Sequence, residues 1–317
     1  MDNNFAEDVR KGLSSSPKYL LSKYFYNQKG DKLFKQIMAL DEYYITNSEF
    51  EIFNSSKEGF LKLFNPQNRL GFQIIEFGAG DGQKTKVLLK HFLKEAAKFK
   101  YIPIDISGNA LKSLVEDLKN NFPQLEVDGI QDDYFKALKK LNLEGNIRKV
   151  VLFLGSNIGN FPDGQAIDFL KKLSFNLSEE DLVMIGFDLK KDPSTILSAY
   201  DDKKGVTREF NLNLLKRINQ ELGGKFDLNT FKHFPSYDPV SGALKSYLIS
   251  RIRQTVRVEA LDQEFNFLPW EPIATELSQK FNMVDVENLA IKSGFRIKEN
   301  YYDSHSYFVD SIWELAQ

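Results

Sequence analysis

Residues 72–90, FQIIEFGAGDGQKTKVLLK, join an apolar run to a helical pattern through three closely spaced glycines, and few folds accommodate that join. Phe72 to Phe77 is apolar and β-branched enough for a buried parallel strand. From Gln83 onward Val87, Leu88, His91 and Phe92 fall at helical spacing. Gly78, Gly80 and Gly82 keep side chains out of the turn between them, so a ligand can lie against main-chain N–H groups at a helix N-terminus. The spacing is G-x-G-x-G, not the G-x-G-x-x-G that suits a pyrophosphate. Glu76, just before the turn, adds negative charge where phosphates would be repelled and a cationic adenosyl ligand such as S-adenosylmethionine would be favoured. The alternative is that three glycines merely make a tight βα turn.

The rest of the chain extends this pattern. A second strand, KYIPIDI, ends at Asp105, 25 residues after Gly80 and so placed to grip a ribose diol. A third lies around 125–130, and Asp132 or Asp133 with Tyr134 follows it, suited to an adenine amino group and ring. The fourth, KVVLFL, runs into GSNIGNFP, where Asn157 and Asn160 stand on a glycine-punctuated loop at a strand's C-terminal end. The fifth, DLVMIGFD, completes a strand–helix alternation that predicts a doubly wound parallel sheet. The C-terminal FRIKENYYD…YFVDSIWEL reads as a β-hairpin, and a parallel sheet finished by such a hairpin is the arrangement of S-adenosylmethionine-dependent methyltransferases. Elsewhere the pattern differs. Residues 1–16 read as a polar lead-in, and 28–31 as a turn with Asp31 capping a helix. Thr46 and Glu49 fit a capping box. Residues 195–233 read as helical and 242–260 as a strand pair. The expected division assigns 61–194 and 286–317 to a cofactor-binding domain, and 1–60 with 195–285 to a smaller α+β substrate-binding domain.

Composition narrows the function classes. The 317 residues carry a net charge of −2, which supplies no general attraction to nucleic acid or an anionic membrane. Cysteine is absent, removing disulfides, thiolate metal sites and Cys nucleophiles, and His91, His233 and His305 show no metal-ligand spacing. With no signal peptide or membrane-length apolar run, the expectation is a cytoplasmic monomer whose partner is a small molecule.

In order along nearly its whole length, PKYL…YFYNQKGDKLFKQI, LDEYYITNSEFEIF, EFGAGDGQKT, YIPIDIS, FLGSNIGNF, DLKKD, AYDDKKGVTREFNLN, FDLNTFKH and TELSQKF make the sequence resemble the histidine-specific Nα-methyltransferases of ergothioneine biosynthesis. That resemblance implies a Rossmann-like class I methyltransferase sheet and S-adenosylmethionine as cofactor. It implies that Gly78, Gly80, Lys84 and Asp105 contact the cofactor, and that Asp133 with Tyr134 addresses the adenine. Asn160 and Tyr200 would hold the substrate's α-amino and carboxylate groups, completed by Tyr43 and Tyr26, with Tyr43 and Asn160 nearest the chemistry. Glu276 and Ser278 would read the imidazole. One departure stands out: where family members carry Met against the imidazole, this chain has Ser246.

The residues suit that reaction. A sulfonium is already a strong electrophile, so methyl transfer needs chiefly a neutral amine held in line with water kept away, and positioning can supply roughly 7–11 kcal/mol of a barrier. Neutral Asn and Tyr groups orient an amine without competing for the methyl group. Glu276 and Ser278, two apart on an extended segment, share one side and can pair with both imidazole nitrogens. Two alternatives remain: another aromatic amino acid as substrate, and a nicotinamide-binding oxidoreductase or non-catalytic nucleotide-binding module.

Overall fold

The strand–helix alternation from residue 72 builds a seven-stranded sheet ordered Glu126–Val127, Phe99–Ile104, Phe72–Phe77, Arg148–Phe153, Leu182–Asp188, Phe308–Leu315, Phe295–Tyr302. The first five strands are parallel, and the C-terminal hairpin adds the last two antiparallel. This is the doubly wound sheet with a terminal hairpin that the sequence predicts. The computed structural model describes residues 3–65, 71–105, 108–132, 134–142, 147–162 and 164–316. The chain divides into two units, one of Met1–Tyr44 and Lys191–Gln279, the other, holding this sheet, of Ile45–Lys190 and Lys280–Gln317.

Alternating side chains give the large sheet two apolar faces. Ile75, Phe77, Val151, Phe153, Val183 and Ile185 pack with Leu138, Leu170 and Leu289 of the helices Tyr134–Asn142, Gln165–Ser174 and Met283–Lys292. Phe72, in the central strand, meets Phe64 of the helix Tyr44–Phe64 and Phe92 of the helix Thr85–Lys94. The chain winds outward from Phe72–Phe77 in one direction and from Arg148–Phe153 in the other. The loops after these two adjacent strands therefore flank the switch point, where open α/β sheets leave a crevice for ligands.

The other unit is α+β. Its four-stranded sheet runs Lys18–Tyr19, Pro272–Gln279, Ala243–Ser250, Phe231–Asp238, beside a hairpin of Gln254–Val258 and Gln263–Phe267. The helices Asn3–Ser14, Gln28–Met38, Pro193–Tyr200 and Val206–Leu222 belong to the same unit.

Three local expectations are corrected. The N-terminal segment is a helix rather than a lead-in, because Phe5, Val9 and Leu13 recur every four residues and are all buried. The helix expected at Asp31 is capped by Asn27, whose side chain accepts from Gly30 N at 2.8 Å. Gly30 is no turn residue; a Cβ there would run into the Phe25 carbonyl. Residues 231–238 form a strand, not a helix end, with Phe231, His233 and Pro235 on the buried side.

Asp188, at the end of its strand, and Lys280 pair at 2.7 Å with both side chains fully buried. Asp188 N also donates to Ser156 Oγ at 3.0 Å, so this one residue fixes the 155–160 loop and the re-entering chain. Removing one partner of such a pair leaves an uncompensated charge. Lys280→Met is expected to destabilise the protein by about 3–5 kcal/mol in urea unfolding, and Asp188→Asn added to it to restore part of that loss.

Candidate active site

In the larger unit the glycine turn has the backbone its sequence requires. Gly78, Gly80 and Gly82 all have positive φ, at 67°, 55° and 62°. A Cβ on Gly80 would meet nothing within 4 Å, whereas one on Gly78 would lie 3.1 Å from the Tyr134 hydroxyl. The turn is thus open main chain at Gly80, with Tyr134 close to Gly78 and Leu114 packed at Gly82. Tyr134 begins its helix with its ring stacked on Phe77, centroids 4.5 Å apart and 6° from parallel. Asp105 follows the Phe99–Ile104 strand directly and donates its N–H to Ile130 O at 3.3 Å. Asp133 lies outside the described residues.

The second loop of the switch point carries both candidate asparagines on the 3-10 turn Asn157–Asn160. The Asn157 amide nitrogen sits 4.0 Å from the place of a Gly78 Cβ and 3.9 Å from that of Gly155, while Asn160 is exposed. Ser156 adopts left-handed φ of 57°, a strained state for a residue with a Cβ. The Asp188 N–H bond to its hydroxyl holds it there.

Electrostatics depart from the sequence reading. Glu76 is buried and accepts from the Tyr101 hydroxyl at 2.5 Å. Burial pushes its carboxyl up to about 7, against the pull of Tyr101 and Lys84. At neutral pH it is about half ionised, so the full negative charge expected there is absent. The charge comes instead from Glu49, which sequence reasoning assigned to a helix cap. The helix already begins at Tyr44, and Glu49 lies fully buried. Its Oε1 accepts from Gly155 N at 2.8 Å and its Oε2 pairs with the Lys84 ammonium. No spacing rule links residues 49, 84 and 155; only the fold does.

In the smaller unit four of the predicted substrate residues, Tyr26, Tyr43, Tyr200 and Ser278, form one connected set. Tyr26 packs edge-on to Phe34 at 5.6 Å, Phe34 to Tyr43 at 6.5 Å, and Tyr43 to Tyr200 at 6.4 Å. The buried Tyr200 hydroxyl donates to Ser278 Oγ at 2.9 Å. Tyr26 remains 48% exposed, the outermost of the set.

Glu276 and Ser278 reach their face by a β-bulge. The pairing of Pro272–Gln279 with Ala243–Ser250 shifts between Ala274 and Glu276, leaving Thr275 as the extra residue. Before it Ile273 faces Leu248; after it Glu276 faces Ser246 and Ser278 faces Leu244. Leu244, Ser246 and Leu248 all point to the buried side, so the bulge turns Glu276 and Ser278 inward, where unbroken alternation would place Leu277. Thr275 bonds to Asn211 Oδ1 at 2.7 Å, and the Ser246 hydroxyl donates to Glu276 Oε2 at 3.2 Å. The departure at 246 therefore gives Glu276 a hydrogen-bonding neighbour.

The histidines, which share no metal-ligand spacing in sequence, have separate surroundings. His233 is buried, without a partner on either ring nitrogen among the described residues, and burial pushes it down to about 4. His305 comes within 4.8 Å of Glu51 and Asp303, measured between ligating atoms, but hydrogen bonds from Ser304 and Phe308 occupy those carboxylates.

The model of the histidine-specific, S-adenosylmethionine-dependent methyltransferase family matches residues 5–315. The chain belongs to that family. A relative named histidine N-alpha-methyltransferase in Mycolicibacterium smegmatis is 35% identical over 91% of this chain and 88% of its own length. A protein of the same name in Mycobacterium tuberculosis is 33% identical over 86% and 83%. The ergothioneine biosynthesis protein 1 of Schizosaccharomyces pombe is 29% identical over 89% of this chain, which spans 37% of that longer protein. As a member of the family the protein is an S-adenosylmethionine-dependent methyltransferase, and the nicotinamide reading of the glycine turn is set aside.

The state of Glu76 sets a pH dependence for this methyltransferase. The folded protein holds the proton up to about pH 7, whereas the unfolded chain releases it near the ordinary 4.5. Folding therefore binds a proton between those values, and stability falls as pH rises through that window. Glu76→Gln is expected to reduce the loss of stability between pH 5 and pH 8 by up to roughly 3 kcal/mol in urea unfolding of the ligand-free protein.

Proposed function

We propose that this methyltransferase transfers methyl groups to the α-amino nitrogen of L-histidine and carries it to the trimethylated betaine, hercynine. The observation that carries the reading is the bulge at Thr275, which presents a carboxylate and a hydroxyl, Glu276 and Ser278, on one face. That pair suits the two nitrogens of an imidazole, and a charged acceptor makes the bond roughly twice as strong as a neutral one. Tyr200, joined to Ser278 by its hydroxyl and to Tyr43 by ring contact, ties the imidazole end to the end that holds the backbone of the amino acid. In this reading Asn160, Tyr200, Tyr43 and Tyr26 hold the α-amino and carboxylate groups, and Tyr43 and Asn160 orient the reacting nitrogen.

Gly78, Gly80, Lys84, Asp105, Asp133 and Tyr134 hold the cofactor. S-adenosylmethionine, when bound, supplies an electrophilic methyl group. The chain's own task is to present a neutral amine and exclude water. Burial of the amino group lowers its pKa and makes the nucleophilic form available near neutral pH. Directional neutral donors and acceptors then fix its approach, the contribution that orientation makes to catalysis. The domain roles follow the same division: residues 61–194 and 286–317 serve the cofactor, and 1–60 with 195–285 serve the substrate. The reading includes a cytoplasmic monomer acting on a small-molecule amino acid, with neither nucleic acid nor membrane as a partner. The net charge of −2 supports the last point, and no helix among the described residues is long and apolar enough to cross a membrane.

A second reading, that another aromatic amino acid is the substrate, is favoured by Ser246, which stands opposite Glu276 in the sheet. Incubation with S-adenosylmethionine and pooled amino acids separates the two by mass spectrometry. Histidine gaining three methyl masses is the expected product, and methylation of another amino acid with histidine untouched would select the second reading. Glu276→Ala is expected to raise KM for histidine by about 10- to 100-fold, the loss of a hydrogen bond to a charged group, with KM for the cofactor within about twofold.

A further inference from the structure

Taking the 78–82 turn as the seat of the cofactor, we propose that Glu49 is the counter-charge that lets this turn accept a sulfonium. It neutralises Lys84 and, through its other oxygen, holds the 155–160 loop against the same point. Lys84 is the cap residue of the Thr85–Lys94 helix, so its charge adds to the positive end of the helix dipole. Its ammonium lies 3.5 Å from the place of a Gly155 Cβ, next to the second loop of the switch point. Left alone, that cation would oppose a positively charged ligand on the neighbouring glycines. Glu49 pairs with it from a fully buried position.

The surroundings are built for this one carboxylate. A Cβ on Gly186 would come within 2.6 Å of Glu49 Oε1, so the Leu182–Asp188 strand leaves room for it only through a glycine. Across the sheet from Gly186 stands Asp310, fully buried beside Glu49. Burial and the charge of Glu49 push the Asp310 carboxyl well above its usual range. The remaining acid, Glu76, is bonded to Tyr101 and about half ionised at neutral pH. Glu49 is thus the carboxylate that pairs with Lys84 in the cluster. It is a positioning residue, because its oxygens are taken up by Lys84 and Gly155.

S-adenosylmethionine and its demethylated product, S-adenosylhomocysteine, differ by one methyl group and one positive charge, so the ratio of their affinities isolates the charge. Both dissociation constants would be measured calorimetrically without substrate for the wild type, for Glu49→Gln/Asp310→Asn and for Glu49→Asp/Asp310→Asn. The Asp310 change prevents that residue from ionising in place of Glu49. A unit charge left uncompensated about 10 Å away, at an effective dielectric constant near 20, changes binding roughly tenfold. The Gln double variant is therefore expected to shift the ratio roughly tenfold against S-adenosylmethionine, and the Asp double variant to keep it within about threefold of the wild type. Parallel weakening of both ligands, with the ratio unchanged, would show that Glu49 acts on shape alone and overturn the proposal. If these double variants do not fold, Glu49→Gln/Asp310→Ser keeps the acceptor for Gly155 with residue 310 unable to ionise and must move the ratio in the same direction; an unmoved ratio there is also fatal. Failure of the wild type to bind either ligand would instead dismiss the cofactor seat itself.

Discussion

A backbone N–H from one loop and an ammonium from another end on the same buried carboxylate. Everything at the switch point of the large sheet depends on that meeting. The two loops follow adjacent strands but are separated in sequence by more than one complete βαβ crossover, so strand pairing alone leaves their tips free to diverge. Glu49, carried on a helix from outside the alternating pattern, removes that freedom. The buried Asp188–Lys280 pair does the corresponding work one strand further along, through the hydroxyl of a residue held in a left-handed conformation. Charges this deep contribute little net stability once desolvation is counted; their value lies in the single arrangement they permit.

The smaller unit reaches its geometry differently. Aromatic edges and one hydroxyl relay link Tyr26, Tyr43, Tyr200 and Ser278, with no ion pair along the chain of contacts. Neutral groups suit a task in which the ligand brings its own ammonium and carboxylate. A fixed charge among these rings would perturb the protonation of the amine they are proposed to orient.

The parallel sheet was legible because its longer strands are rich in apolar residues and each following turn is marked by glycine or an acidic residue. Periodicity also located the helices after those turns. What it could not show was contact between distant residues. Glu49 reads as a cap because Thr46 lies three positions before it, and nothing near it in sequence reveals the Gly155 N–H that it accepts. The N-terminal helix was hidden by the serines that end it, although Phe5, Val9 and Leu13 carry its period. Residues 231–233 were misread because a strand on a sheet edge, with a proline inside, has weak local preference. Among the substrate residues, Tyr200, Glu276 and Ser278 were named through family likeness, whereas the bulge that turns the latter two inward left no mark in the sequence.

That bulge has an evolutionary consequence. Residue identity in Pro272–Gln279 and the side on which each residue appears are separate variables, joined by a single supernumerary position. Closing the bulge with Thr275 kept in the ladder would bring Thr275 and Leu277 to the face that Glu276 and Ser278 now occupy, while every side chain in the strand kept its chemistry. Substrate preference in such a scaffold can therefore diverge by a one-residue slip in strand pairing as readily as by substitution.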